Sequence, residues 1–148
     1  MNVYLAARYS RRLELVGYRQ DLVRLGHQVT ARWLNGNHQL SDTGVPLGDH
    51  GQRLVEDSNG EQAVLLRTRF AHEDRDDVLR ADLLVAFTEY PRSDKGRGGR
   101  HVELGIALGA GKPVVIVGPL EHIFCWLPEV DHYSTWAEFL AALGEASP

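Results

Sequence analysis

The chain has 148 residues, 43% hydrophobic and 24% charged, with a formal net charge of −4, which is one ordinary domain with enough apolar material for a real core. No lysine- or arginine-rich tail is present, so the basic footprint of a protein that binds a nucleic-acid polymer is missing. The single cysteine, Cys125, excludes an internal disulfide framework and a cysteine-rich zinc cluster and fits a reducing, cytoplasmic setting. MNVYLAARYSRR is too short and too quickly charged for a signal peptide, and no apolar run approaches the roughly 20 residues of a membrane span.

In chain order, NVYLAA (Asn2 to Ala7) is a short apolar run without polar alternation, the pattern of a strand buried on both faces of a parallel sheet. Ser10 is placed to cap a helix with an apolar stripe of Leu13, Leu15, Val16, Leu22, Val23 and Leu25, and Gly26 stands where a C-terminal glycine belongs. HQVTARWL predicts a second strand. From Asn35 to about Gly60 the sequence is polar, glycine-bearing and unpatterned, longer than the usual connector and read as a lid or an unstructured segment. EQAVLLRTRFAHEDRDDVLRA has helical periodicity through Leu66, Phe70 and Val78, and DLLVAF (Asp82 to Phe87) is another bare apolar strand, expected at the sheet centre.

GGRHVELGIALGAG (Gly98 to Gly111) is helical in pattern, and KPVVIVG is a fourth strand. A short helix is expected around Leu120 to Leu127 and a short fifth strand at VDHY. TWAE matches a capping box, Thr135 with Glu138, opening a last amphipathic helix. Strands alternating with helices imply parallel pairing through right-handed crossovers. The expected fold is therefore one α/β domain over residues 1–148, a five-stranded doubly wound parallel sheet, flavodoxin-like, in the order 2-1-3-4-5. Ligands of such sheets bind beyond the carboxyl ends of the strands, where the strand order reverses. The loops to inspect begin at ARYSRR, TEYPRSDKGRGGR and GPLEH.

Helical spacing sets Gly99, Glu103, Ala107 and Ala110 roughly on one stripe, with Glu103 one turn in. The helix dipole stabilises a carboxylate there by about 0.3–1 kcal/mol, so Glu103 is expected to stay ionised even when partly buried, as a nucleophile must. On the spacing alone it is also readable as a surface acid satisfying first-turn amides, although the flanking glycines give a ligand room to approach. Tyr4 is a phenol among Val3, Leu5 and Ala6; it either fills the core or turns its hydroxyl to a partner such as a carboxylate at a neighbouring strand end. HEDRDD, His72 to Asp77, reads as a solvated acidic face or as a helix that turns one acid into the cleft for proton work. His72 and Asp76 are four apart, but no further ligand cluster accompanies them, so no metal is expected.

Arg8, Arg11 and Arg12 follow the first strand, and Arg92, Lys95, Arg97 and Arg100 follow the third. Converging on helix N-termini, they would form an anion site for a phosphorylated small substrate; the alternative is scattered surface charge. GRGG lacks the Gly-Lys-Ser/Thr ending of a P-loop, and the first strand has no G-x-G-x-x-G, so a dinucleotide cofactor is disfavoured and no cofactor is expected.

VYLAA, the acidic helix running into ADLLVAF, and GGRHVELGIALGAGKPVVIV, in that order, resemble the nucleoside 2-deoxyribosyltransferase superfamily, which includes the nucleoside 5′-monophosphate N-glycosidases. The resemblance spans Asn2 to about Phe139 apart from the loop between Asn35 and Gly60. It implies a double displacement in which Glu103 attacks C1′ of a nucleoside or nucleotide, expels the base through an oxocarbenium-like transition state, and leaves a glycosyl-enzyme for water or another base to resolve. It implies further that Tyr4 orients the nucleophile and that Asp74, eight residues ahead of the strand-start Asp82, handles the base.

Six residues before the nucleophile, the transferases commonly carry an aspartate and the monophosphate hydrolases a serine, whereas this chain has Arg97. An arginine clamps phosphate but accepts no hydrogen bond from a base, which tilts the expectation toward a nucleotide and leaves Asp94 or Ser93 for the vacant role. Arg8, Ser10, Arg12, Gly99 and Arg100 complete the expected substrate-binding set. In EVDHYST, Asp131 corresponds to a residue given to the neighbouring subunit's pocket, so the resemblance implies a homo-oligomer, a dimer or higher. The rival expectation is a non-catalytic nucleotide-binding or sensor domain on the same fold.

Overall fold

The computed structural model describes residues 1–36, 61–90 and 98–146. Five parallel strands, β1 (Asn2–Ala6), β2 (Gln28–Val29), β3 (Leu83–Phe87), β4 (Val114–Val117) and β5 (Val130–Tyr133), form one sheet in the order β2-β1-β3-β4-β5. The helices are α1 (Arg12–Arg24), α2 (Glu61–Arg80), α3 (Gly99–Gly109) and α4 (Trp136–Glu145). This is the doubly wound, flavodoxin-like α/β sheet that the alternation of elements implies. The loop expected between Asn35 and Gly60 lies, from residue 37 onward, outside the described residues.

The unalternated apolar runs are the strands covered on both faces. Every residue of β3 and β4 is buried, as are Val3 to Ala6 of β1. The edge strand β5 has no buried residue, its two middle positions being exposed. Against one face, Tyr18 of α1 stacks on Trp136 of α4, ring centroids 4.5 Å apart, and on Phe87 of β3 at 5.3 Å. Helices α2 and α3 pack against each other on the other face, as right-handed crossovers require for this strand order.

Four local expectations are corrected. The second strand is two residues long, because the chain is drawn off β1 toward α2: the buried Asp77 carboxylate accepts the Arg32 amide at 2.9 Å, and the Asp77 carbonyl accepts the Thr30 hydroxyl at 2.9 Å. A 3-10 turn over Arg32–Asn35 follows, seated by Trp33 Nε1 donating to the Leu5 carbonyl of β1 at 3.0 Å. Ser10 caps nothing, since it lies inside a 3-10 turn (Tyr9–Arg11) that leads directly into α1. Of the α1 stripe, only Leu15 and Leu22 are buried and Val16 partly so, while Leu13, Val23 and Leu25 face water; the buried pair is seven apart, two turns along one line of the helix. The segment expected to be helical around Leu120 to Leu127 holds a single 3-10 turn, Ile123–Trp126. The capping box is present, with Thr135 Oγ1 accepting from the Glu138 amide at 3.2 Å and the Glu138 carboxylate reaching back to the Ser134 amide at 2.9 Å.

Candidate active site

Two glycines shape the carboxyl edge of the sheet. Gly98 caps α3 in the left-handed region, φ +84°, a conformation that L side chains rarely take. Gly118, at the end of β4, has φ +117°, and a Cβ there would stand 2.8 Å from Thr88 Oγ1. The ends of β3 and β4 thus approach closely, and Thr88 Oγ1 donates to the Pro119 carbonyl at 2.6 Å.

Tyr4, wholly buried in β1, donates its hydroxyl to Oε1 of Glu103 at 2.8 Å. The two residues come from the strand and helix that sequence order alone leaves 99 positions apart. Burial, followed by the Glu103 and Asp74 charges, holds the Tyr4 phenol well above its ordinary pKa of 10.0, so it remains a donor. Glu103 is half-buried one turn into α3. Its pKa is raised from 4.5 to about 8, chiefly by burial and then by the Asp74 charge, against the pull of the Tyr4 hydrogen bond and of Arg100. The expectation that the helix dipole keeps Glu103 ionised is therefore corrected. The dipole's 0.3–1 kcal/mol corresponds to less than about one pKa unit, too little to offset burial beside a second carboxyl.

Two acids of HEDRDD turn inward: the fully buried Asp77 and, one turn before it, the partly buried Asp74. The Asp74 pKa is raised from 3.8 to about 7 by burial first, then by the charges of Asp77 and Glu73, with Arg32 opposing. Because repulsion between neighbouring carboxylates is mutual, Asp74 and Glu103 do not both ionise readily at neutral pH, and their protons come off as those of a pair. One turn on, the fully buried Asp77 accepts from the Arg32 amide, from Arg32 Nε at 2.9 Å and from Arg80 Nη2. That junction fixes the rotation of α2 and hence the direction of Asp74.

The described arginines of the expected set, Arg8, Arg11, Arg12 and Arg100, each face a protein acceptor. Arg8 Nε lies 3.3 Å from Glu89 Oε1, and Arg11 Nη1 lies 3.4 Å from the same oxygen while forking onto Glu14. Arg12 Nη1 donates to the Leu34 carbonyl at 2.9 Å. Arg100 pairs bidentately with Glu121, whose Oε2 also accepts the Glu89 amide at 3.2 Å. Glu89 and Glu121 thus tie the ends of β1, β3 and β4 together. Sequence reading did not single them out; their one visible signal is that each falls just after a predicted strand.

Ser10 and Gly99 are exposed, and a Cβ on Gly99 would meet open space. Asp131 is exposed on β5 opposite Val115, three strand spacings or about 14 Å from β1, so it does not join the Tyr4–Glu103 pair within one chain. Arg97, Asp94 and Ser93 lie outside the described residues, as do Arg92 and Lys95. Of the aromatic residues near these loops, Trp33 and Phe70 are core, while Tyr90 and Trp126 are exposed. Among the described residues, the potential metal ligands that gather are not His72 and Asp76 but His101, Glu121 and His122. No described helix is long and apolar enough to cross a membrane.

No protein-family model matches the chain, and no curated protein does. Among solved structures it is similar to a CMP N-glycosidase of Clostridium botulinum, with a TM-score of 0.56 and 19% identity over 97% of this chain and 98% of that one. It is also similar to a 2-deoxyribosyltransferase of the psychrotolerant Bacillus psychrosaccharolyticus, with a TM-score of 0.59 and 16% identity over 95% and 90%. At these identities the likeness is one of fold, and the fold is that of the superfamily which the sequence motifs resemble.

Proposed function

We propose that this protein cleaves or transfers at the N-glycosidic bond of a nucleoside or nucleoside 5′-monophosphate, with Glu103 as nucleophile. The observation that carries the reading is the Tyr4–Glu103 hydrogen bond of 2.8 Å beside the inward Asp74. A carboxyl oriented by a buried phenol beside a second carboxyl whose pKa lies near neutrality is the pair that a double displacement uses. The names of the two structural neighbours, an N-glycosidase and a deoxyribosyltransferase, support the same class of bond.

The reactive form of the pair has Glu103 ionised and Asp74 protonated, the minority form given their pKa values of about 8 and about 7, and in it, with Tyr4 holding Oε1, Oε2 of Glu103 attacks C1′. The C1′–N bond breaks through an oxocarbenium-like transition state, its electron pair leaves with the base, and protonated Asp74 supplies the proton. In the second half, water or another base attacks C1′, Asp74 takes up the proton released, and Glu103 departs as carboxylate. Configuration at C1′ is retained after two inversions. Arg8, Arg12 and Arg97 serve a 5′-phosphate in this reading, and Asp131 serves the pocket of a second copy in a homo-oligomer.

The test is a panel of ribo- and deoxynucleosides and their 5′-monophosphates, with and without a second base, followed by chromatography of the free base. Release or exchange that Glu103→Ala abolishes supports the proposal. Absence of turnover on every substrate, or full activity in Glu103→Ala, refutes it. The raised pKa of Glu103 favours the rival reading, a binding domain without turnover. A glycosyl adduct on Glu103, trapped with a slow fluorinated analogue and seen by mass spectrometry, excludes that rival.

A further inference from the structure

His101 stands in the first turn of α3, and Glu121 and His122 lie between β4 and the Ile123–Trp126 turn. Each offers one ligand atom, and the three atoms lie within 4.8 Å of one another. The sequence hides this group, because its two halves stand twenty positions apart and neither half has a recognisable ligand spacing.

The unused valence of Glu121 points the right way. A carboxylate has about four lone-pair positions. Arg100 takes one on each oxygen, and the Glu89 amide takes the second on Oε2. The remaining position is on Oε1, the oxygen 3.9 Å from His101 Nδ1. That separation is too long for a hydrogen bond. It is about half an ångström wider than the roughly 3.3 Å edge between two ligands held at 2.0–2.1 Å by a tetrahedral zinc ion.

The second histidine completes the set. The His101 and His122 rings meet edge to face, centroids 5.0 Å apart, and His122 Nδ1 lies 3.6 Å from the buried Cys125 Sγ. Two imidazoles and a carboxylate suit a zinc-class ion and not magnesium or calcium, which prefer oxygen alone. The open side of the group faces an apolar cavity of about 600 Å³, walled by Leu104, Leu108, Phe124 and Leu127 as well as the two histidines. Water has little competing polar surface there.

We propose that the chain binds one zinc-class divalent cation through His101 Nδ1, Glu121 Oε1 and a ring nitrogen of His122, at the wall of the Leu104–Leu108–Phe124 cavity. The ion would fasten the Ile123–Trp126 turn to the first turn of α3. It is separate from Glu103, Tyr4 and Asp74, and the proposal stands or falls apart from the glycosidic chemistry.

The experiment uses the full chain without a histidine tag, freed of metal with a chelator and titrated calorimetrically with Zn²⁺ at pH 7.5, then with Co²⁺ followed by visible absorption. The expected result is one ion per chain, with the intense visible bands of low-coordinate cobalt. The affinity should fall at least about tenfold in His101→Gln and in His122→Gln, each checked by circular dichroism to be folded without metal. His72→Gln, which alters a histidine outside the group that stands four residues from Asp76, should bind like the unmodified chain. Absence of saturable binding, equal affinity in the folded His101→Gln and His122→Gln variants, or loss of binding in His72→Gln would overturn the assignment.

Discussion

The Tyr4 hydroxyl and Glu103 Oε1, on the interior strand β1 and the first turns of α3, are joined at 2.8 Å. This bond lowers the pKa of Glu103 against the larger effect of burial. Hydrogen bonds to charged groups contribute about 1.5–3 kcal/mol, or one to two powers of ten in rate at about 1.4 kcal/mol per tenfold. Tyr4→Phe should therefore reduce kcat by roughly 10- to 100-fold and move the acidic limb of the rate profile to higher pH. Steady-state kinetics between pH 5 and 9 check both; a lower kcat with an unmoved limb would assign Tyr4 to packing.

Stability should depend on pH in the direction opposite to that of an ordinary salt-bridged carboxylate. Glu103 and Asp74 have folded pKa values of about 8 and about 7, above their ordinary 4.5 and 3.8. The folded state therefore binds protons more tightly than the unfolded one. The stability this contributes is complete below about pH 4 and is lost as pH rises through 7 to 8. Urea unfolding should show a decline across that interval. Glu103→Gln should flatten the decline and be the more stable protein at pH 8.5, by roughly 1–3 kcal/mol.

Asp77 acts on the pair from behind. Its charge raises the Asp74 pKa, second only to burial, while its carboxylate is held by Arg32 and Arg80. Asp77→Asn should lower the Asp74 pKa, read by carboxyl-carbon NMR titration. The accompanying loss of stability should be about 1–2 kcal/mol, the low end for a charged hydrogen-bond network, because Arg32 and Arg80 are open enough to water to keep their own solvation.

Gly118→Ala places a methyl group 2.8 Å from Thr88 Oγ1 at φ +117°. Strain of this kind costs on the order of 1–3 kcal/mol. The double variant with Thr88→Ser keeps the hydroxyl and should therefore recover little. With Thr88→Ala the hydroxyl contact is relieved, leaving the backbone penalty and the 3.3 Å approach to the Thr88 carbonyl. Thermal unfolding of the three proteins separates the two contributions.

The sheet was legible because β1, β3 and β4 are apolar without alternation, and only strands covered on both faces read that way. Tyr4 and Asp74 were legible as members of an ordered set of motifs, and their meeting with Glu103 needed the fold. What the sequence concealed was the consequence of desolvation. Glu103 looks, on a helical wheel, like an acid favoured by a helix start, and only the enclosure beside Asp74 turns that around. The ion pairs of Glu89 and Glu121 were hidden for a similar reason, since loop charges after different strands become neighbours only through the strand order. The two-residue β2 reflects a tertiary competitor, Asp77, for the backbone of Arg32.

The strand order also sets a timetable. β1 is synthesised first but sits inside the sheet, flanked by β2 and β3, and its Tyr4 finds Glu103 only after 99 further residues exist. Parallel pairings at such separations form slowly, because the long intervening loops must close before any contact rewards them. No partial product of translation that stops before α3 can contain the site, and during refolding the far-ultraviolet signal of α1 and α2 should return before any activity does. On the proposed function, a catalytic assay of this chain is also a clock for the closing of its sheet.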